Sequence, residues 1–268
     1  MLMRAETVVT RVRHLSLFYL AGAGAIAIVV AAAALGAAPA GVKPTIVLVH
    51  GAFEDGSAWQ RVISILQDDQ YIVVAAQTPL TSLAADVEAT RRVVRAHDGP
   101  VVLVGHSWGG AVITDAGADE PRVKALVYVA AFAPDANEAV AAFNDKYPTR
   151  LGMALRQDAA GYLSVDPARF QEVFANDVDA ASVRVAAATQ KPILASAFGD
   201  APAHAAWRTV PAWDLITLDD QAIQPALQRF YARRMQAKTI EVKSSHAVIA
   251  SHPADVARVI EEAAQSSR

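Results

Sequence analysis

The sequence predicts an α/β fold, in which a doubly wound, mainly parallel sheet carries a helical lid insertion. Short runs of β-branched and other apolar residues recur along the chain, as expected of strands buried on both faces. Helix-forming segments separate these runs, which is the pattern of a parallel sheet with crossover helices. From about residue 135 to 207 the alternation stops, and prolines and glycines interrupt an alanine-rich stretch. This stretch is predicted to be a lid beside the carboxyl ends of the strands, where α/β proteins bind ligands.

Each element is predicted from its local pattern. Apolar runs predict strands at 45–50, 71–76, 101–104, 123–131, 213–218 and 239–242. Apolar periodicity and capping residues predict helices at 57–69, 86–96, 111–117, 223–235 and 253–264. Ser57 is predicted to N-cap the first helix. Together these elements predict one domain, residues 41–268.

The composition argues against several classes of function. None of the 268 residues is cysteine, so disulfides, thiolate metal sites and a cysteine nucleophile are excluded. The formal net charge is −3, which leaves no basic excess to hold phosphate backbones, and no nucleic-acid partner is expected. The sequence shows no metal-ligand motif and no dinucleotide-binding loop, so no metal and no cofactor are expected. Nothing in the composition indicates an oligomeric state.

Residues 1–40 have the layout of a signal peptide or an N-terminal membrane anchor. Three arginines precede an uncharged run from Leu15 to Ala38, and Ala38-Pro39-Ala40 forms an A-x-A pattern. The run is longer than the roughly 7–15 residues of an ordinary signal-peptide core. The sequence therefore predicts either cleaved export, periplasmic or secreted, or membrane association through residues 15–38. In both cases the domain from residue 41 lies outside the cytoplasm.

A serine flanked by glycines is the first candidate for chemistry. Val101–Val104 is a predicted strand, Ala111–Ile113 begins a helix, and Gly105-His106-Ser107-Trp108-Gly109 joins them. A strand-to-helix turn this tight forces its central residue to positive φ and needs small neighbours two residues away on either side. Such a turn exposes the Ser107 hydroxyl, which predicts a nucleophile. A glycine-flanked serine also occurs by chance, so the prediction depends on the rest of the chain.

A serine nucleophile needs a base, and the base needs a group to orient it. On a doubly wound sheet these partners follow the serine in the order acid, histidine, in loops after late strands. Asp219 and Asp220 follow the strand predicted at 213–218, and His246 follows the strand predicted at 239–242. Ser107, one of these aspartates and His246 are therefore the predicted catalytic residues.

The other titratable residues are given structural interpretations. His252 is the one alternative base, whereas His50 and His106 are expected to make structural hydrogen bonds near the site. Four acidic residues are interpreted as caps and surface charges: Glu54, Asp55, Asp86 and Asp115.

Backbone amides are predicted to stabilise the negative oxygen of the reaction intermediate. One donor is the N–H of Trp108, directly after the nucleophile. The second is expected in the loop after the first strand, where Ala52 is preferred over Phe53 and Gly51 leaves room for the turn. Phe53 and Phe132 are predicted substrate-binding residues. Aromatic residues of the lid suggest an apolar pocket, although such residues are more often core: Phe143, Tyr147, Phe170, Phe174, Phe198 and Trp207.

Six ordered motifs between residues 43 and 265 resemble those of the α/β-hydrolase superfamily. They are V-L-V-H-G-A-F at 47–53, G-S-A-W at 56–59, G-H-S-W-G-G at 105–110, L-V-Y-V-A-A-F-A-P at 126–134, D-Q-A-I-Q-P at 220–225 and S-S-H-A at 244–247. The chain is most similar to the small serine esterase branch, with plant methyl-ester esterases and hydroxynitrile lyases. In that branch the catalytic aspartate stands five residues before a helix-opening proline. The resemblance thus implies the α/β-hydrolase fold and favours Asp220, before Pro225, over Asp219.

The resemblance implies a serine esterase that cleaves small, apolar esters through an acyl-enzyme. Hydroxynitrile lyases carry a lysine after the catalytic histidine and a threonine after the first strand's histidine, where this chain has Ala247 and Gly51. Both differences favour ester hydrolysis over cyanohydrin cleavage. Ser107 excludes the aspartate-nucleophile route of dehalogenases. Hydroxynitrile-lyase-like or perhydrolase activity on the same three residues, or small-molecule binding without turnover, remains as an alternative.

Overall fold

The computed structural model describes residues 42–267. The predicted signal peptide or anchor, residues 1–40, lies outside the described residues. No helix within residues 42–267 has the length and apolar character needed to cross a membrane.

A six-stranded sheet forms the centre of the described chain, and every strand pair in it is parallel. Its strands, numbered in chain order with the three of the insertion left for later, are β1 (Thr45–Val49), β2 (Val73–Ala76), β3 (Val101–His106), β4 (Val123–Val129), β8 (Ala212–Thr217) and β9 (Lys238–Val242). The spatial order is β2-β1-β3-β4-β8-β9. The order reverses between β1 and β3, so their carboxyl ends border the crevice where such sheets bind ligands. The predicted doubly wound sheet is confirmed.

Helices follow most of these strands. They are α1 (Gln60–Asp68), α2 (Leu83–Arg95), α3 (Trp108–Ala116), α6 (Pro225–Met235), α7 (Val248–Ser251) and α8 (Pro253–Gln265), with α4 and α5 in the insertion. Successive strand residues point to opposite faces of the sheet. Val47 and Val49 therefore pack into one core with α2, α3 and α6, whereas Ile46 and Leu48 pack into a second core with α1 and α8. Both faces are covered, which is why the strands read as continuous apolar runs.

The segment predicted as a helical lid contains two short helices and, in addition, a small sheet. The helices are α4 (Phe170–Phe174) and α5 (Ala180–Thr189). Three short strands form an antiparallel sheet in the order β5-β6-β7: β5 (Leu155–Gln157), β6 (Tyr162–Val165) and β7 (Ile193–Leu194). The prediction missed these strands because two to four residues are too few to show a clear alternating pattern.

The first helix begins differently from the prediction. Asp55, rather than Ser57, is the capping residue: its carboxylate accepts the N–H of Ser57 at 2.7 Å. A 3₁₀ turn over Gly56–Trp59 then leads into α1. An aspartate side chain reaches the amide two residues ahead, so the turn starts before the serine that the pattern favoured.

Candidate active site

Ser107 occupies a strained turn between β3 and α3. Its φ is 53° and its ψ is −120°, a conformation that non-glycine residues rarely adopt. The surrounding glycines make this turn possible. A Cβ at Gly105 would lie 2.4 Å from the Gly109 carbonyl oxygen, and one at Gly110 would lie 2.2 Å from the Phe132 carbonyl oxygen. The G-x-S-x-G-G pattern is therefore a packing requirement, and the turn presents Ser107 to a cavity at the carboxyl edge of the sheet.

Three backbone amides at the same edge have no acceptor within residues 42–267. Trp108 is the first residue of α3, where a helix leaves its N–H groups without intrahelical partners and carries a partial positive charge. Within residues 42–267, the N–H groups of Trp108, Ala52 and Phe53 donate to no backbone or side-chain acceptor. Ala52 and Phe53 both line the cavity that Ser107 lines. The structure thus leaves both as candidate second donors, as the sequence did.

His246 and Asp220 are in direct contact. The Nδ1 atom of His246 lies 2.8 Å from Oδ2 of Asp220, and both side chains are fully buried. An ionised carboxylate only accepts hydrogen bonds, so Nδ1 carries the proton and the lone pair of the neutral ring lies on Nε2. This is the tautomer that a general base requires.

A set of donors holds Asp220 in its ionised form. Its Oδ1 atom accepts the N–H groups of Ala222 and Ile223 at 2.7 and 2.8 Å. Its Oδ2 atom accepts the Thr217 hydroxyl at 2.8 Å and the Gln228 amide at 2.9 Å. Burial alone would raise the pKa of Asp220. The charge and hydrogen bond of His246, together with these donors, outweigh the effect of burial, so the pKa lies below its ordinary 3.8.

The Nε2 atom of His246 is buried and has no hydrogen-bond partner within residues 42–267. Ser107 Oγ makes no hydrogen bond to it in this structure, a looseness that is common in unliganded sites. His246 is connected to the cavity of Ser107 through Phe174. The ring of Phe174, which lines that cavity, packs edge-on against the His246 ring at a centroid distance of 4.8 Å. A buried acceptor without a donor calls for an explanation, and an incoming hydroxyl proton provides one.

The cavity that contains Ser107 has a volume of about 640 Å³. Both predicted substrate-binding residues, Phe53 and Phe132, line it. Of the aromatic residues that the sequence suggested, the cavity also takes in Tyr147, Phe174 and Phe198. Further apolar lining comes from the insertion segment: Val140, Ala141, Leu151, Leu155 and Leu163. Among the described residues, no charged side chain lines this cavity, so it favours uncharged ligands.

The other histidines have structural surroundings. The Nδ1 atom of His50 donates to the Gly51 carbonyl, and its Nε2 atom accepts the Thr78 N–H at 3.2 Å, which fixes the neutral ring. His252, the alternative base, bonds the Ser251 hydroxyl at 2.9 Å and lies 3.7 Å from Asp177. Both ring nitrogens of His50 are therefore engaged, and the Nδ1 atom of His252 contacts Ser251 and Asp177 rather than Asp220.

Three acidic residues near the site were missed or misread from the sequence. Asp86 is fully buried and accepts the Trp108 indole N–H at 2.8 Å, so it is a core residue rather than a surface charge. Glu54 accepts from the ring of His106 at 2.8 Å.

Asp177, from the insertion, accepts the Ser244 hydroxyl at 2.8 Å and also the Ser245 hydroxyl, which connects the insertion to the histidine loop, residues 243–247. These contacts join residues far apart in the chain, so no sequence signal identified them. Asp115 is also buried, and it accepts from Arg91 at 2.9 Å.

Comparisons with known proteins identify the family of this chain. The model of a family described as "Alpha/beta hydrolase family" matches residues 46–259. The chain belongs to the alpha/beta hydrolase family. A curated relative in that family, alpha/beta hydrolase nvfD of Aspergillus novofumigatus, is 27% identical over an alignment of 246 residues that covers 83% of this chain and 97% of the relative.

Solved structures of hydrolases share the fold. A pyrethroid hydrolase from Sphingobium faniae JZ-2 superposes with a TM-score of 0.70 at 21% identity, covering 82% of this chain and 97% of that one. Polyneuridine aldehyde esterase gives 0.72 at 17% identity, over 82% and 98% of the two chains. The methylesterase MES16 from Arabidopsis gives 0.69 at 16% identity, over 82% and 98%. These similarities confirm the α/β-hydrolase fold and place esterases among the structural neighbours of this hydrolase.

Proposed function

We propose that this hydrolase cleaves carboxylic esters of small, apolar substrates through an acyl-enzyme on Ser107. The observation that carries the proposal is the state of His246. Its Nδ1 is held by Asp220 at 2.8 Å, and its buried Nε2 has no partner among the described residues. Its ring packs against Phe174, which lines the same cavity as Ser107. The esterases among the structural neighbours support the same reaction class.

In the proposed mechanism, Ser107 Oγ attacks the ester carbonyl carbon while Nε2 of His246 takes the hydroxyl proton. Asp220 keeps the proton on Nδ1 and stabilises the charged ring. The amides of Trp108 and Ala52, with Phe53 as the alternative to Ala52, donate to the carbonyl oxygen as it becomes negative. The intermediate collapses as His246 returns the proton to the departing alcohol. Water then attacks the acyl-enzyme by the same route, which releases the acid and restores Ser107.

The backbone at Gly51 favours hydrolysis over cyanohydrin cleavage. A Cβ at this position would lie 2.8 Å from Cβ of Ser107, so the threonine of hydroxynitrile lyases has no room in this backbone. Ala247 likewise supplies no cationic side chain beside His246 for a cyanide leaving group. Perhydrolase activity uses the same three residues and is a second outcome of activity tests.

The uncharged cavity lining predicts a preference that an ester pair can test. We expect p-nitrophenyl butyrate to be hydrolysed with a kcat/KM on the order of a hundredfold higher than mono-p-nitrophenyl succinate, a similar ester that ends in a carboxylate. Burying an unpaired carboxylate costs several kcal/mol, and no lining residue offers a compensating charge. Initial rates with purified protein at neutral pH provide the measurement. Tight binding of both esters without cleavage would instead favour a binding protein, and equal rates would contradict the apolar-substrate assignment.

A further inference from the structure

A second carboxylate–histidine pair lies behind the proposed catalytic one. His106, directly before Ser107, is fully buried and bonds at both ring nitrogens. Its Nδ1 atom lies 2.8 Å from Oε2 of Glu54, and its Nε2 atom lies 2.9 Å from the backbone carbonyl oxygen of His246. The same Oε2 atom accepts the N–H of Gly51 at 3.2 Å. A continuous chain of hydrogen bonds therefore joins the loop after β1, residues 50–55, to the histidine loop.

The acceptors in this chain determine its protons. A backbone carbonyl accepts only, so Nε2 of His106 must carry a proton to bond His246. Oε2 of Glu54 already accepts from Gly51 and, as a carboxylate oxygen, also accepts only, so Nδ1 must carry a second proton. A neutral imidazole holds one ring proton and satisfies one of these contacts. With Glu54 ionised, the full set of bonds needs a His106 imidazolium; a protonated Glu54 would instead donate to Nδ1 of a neutral ring.

The electrostatic surroundings agree with this assignment. Burial alone would lower the pKa of His106. The charge and hydrogen bond of Glu54, the His246 carbonyl and the charge of Asp220 outweigh the effect of burial, so the pKa of His106 lies above the ordinary 6.5. Burial raises the pKa of Glu54, but His106, His246 and His50 lower it below the ordinary 4.5. Besides Glu54, the ring of His246 lies next to His106, at a centroid distance of 4.8 Å.

We propose that Glu54 and His106 are a charged positioning pair that fixes the loop after β1 against the histidine loop for catalysis at Ser107. The proposal rests on the proposed function of Ser107 and His246. Gly51 is the residue through which the pair contacts the site. It packs closely against both Ser107 and His106, since a Cβ at Gly51 would lie 2.8 Å from Ser107 Cβ and 3.2 Å from Nδ1 of His106. The Glu54–His106 pair therefore contacts both the residue that adjoins Ala52 and the backbone of His246.

Glu54→Gln tests the pair with little change in shape. A glutamine places either an amide nitrogen against the Gly51 N–H or an oxygen against a His106 ring that has lost its second proton. One bond of the chain is lost in either case. We expect kcat to fall by about ten- to a hundredfold, as for a small misplacement of reacting groups, while KM changes less than about threefold. Asp55→Asn is the matched control, because asparagine retains the cap of the following turn, and its kcat should stay near the wild-type value.

Two further measurements separate positioning from general destabilisation. In the wild type, kcat should fall at alkaline pH as His106 loses its second proton. Glu54→Gln should move that fall to lower pH, because burial without the carboxylate lowers the pKa of the ring. His106→Gln should cost about as much as Glu54→Gln, and the double variant no more than either, because the two residues act as one unit.

Nitrogen NMR of His106 in the wild type makes the test independent of activity and of whether the Glu54 and His106 variants fold. At about pH 7 an ordinary histidine, with a pKa near 6.5, is mostly neutral. In the wild type and in Ser107→Ala we expect both ring nitrogens of His106 to be protonated at this pH. A singly protonated His106, or a Glu54→Gln variant with wild-type kcat and pH profile, would overturn the pair. Full activity of Ser107→Ala would instead refute the proposed function and leave the NMR result to decide on the charge of His106.

Discussion

Ser107→Ala is expected to lower kcat for p-nitrophenyl butyrate by about 10⁴- to 10⁶-fold. The hydroxyl oxygen of Ser107 is the atom that bonds the acyl group. Without it, the backbone amides and the cavity supply only the residual rate that such sites retain without their nucleophile. The substitution removes one oxygen from a residue that is 6% exposed, so the turn and its positive φ should persist. KM should change little, since the cavity walls are unaltered.

Steady-state kinetics with active-site titration of the wild type measures this loss. Ser64→Ala is the matched control: Ser64 lies on the exposed side of α1, and its variant should keep wild-type kcat. Thermal unfolding of both variants identifies any loss that comes from misfolding. A folded Ser107→Ala protein with a rate within tenfold of the wild type would remove Ser107 from the mechanism.

Asp220→Asn is expected to lower kcat by roughly 10³- to 10⁴-fold without changing the fold. Two backbone N–H groups bond Oδ1 of Asp220, so the asparagine oxygen must take that position. Its amide nitrogen then faces Nδ1 of His246 and donates to it. The ring proton moves to Nε2, and the atom that should accept the Ser107 proton no longer has a lone pair to do so.

Asp219→Asn is the control for this substitution, because Asp219 is the exposed neighbour and has the same side chain. Its kcat should stay within about twofold of the wild type, as is usual for surface substitutions. The kcat of both variants should be measured together with their intrinsic fluorescence, which reports whether each variant is folded. Equal losses of kcat in the two variants, or a larger loss in Asp219→Asn, would show that Asp220 is not the carboxylate that orients His246.

The central parts of the fold and the site could be predicted from the sequence because their signals are local. Buried parallel strands appear as apolar runs, and the turn at Ser107 needs glycines at fixed positions on both sides. The pairing of Asp220 with His246 followed from the order that such a sheet imposes, with a branch-specific proline deciding between two adjacent aspartates. The structure brings these two side chains to 2.8 Å.

The contacts that were missed join residues far apart in the chain. Glu54 and His106 are 52 positions apart, and neither pattern nor spacing links them. Glu54 was interpreted as a surface charge because a lone glutamate in a turn-rich loop is usually solvated. Its side chain is instead 11% exposed, because the fold closes the loop after β1 over the end of β3. Asp86 and Asp177 were missed for the same reason, since only the fold places them against Trp108 and the histidine loop.

Covalent labelling of Ser107 is the most direct test of the central claim. The protein is treated with a fluorophosphonate, which phosphonylates serines activated by a neighbouring base. Peptide mass mapping then identifies the modified residue. We predict one label per molecule, on Ser107, with labelling slowed strongly in Asp220→Asn and unchanged in Asp219→Asn. Absence of label from the folded wild-type protein, or a label on another serine, would contradict the assignment of Ser107 as the nucleophile.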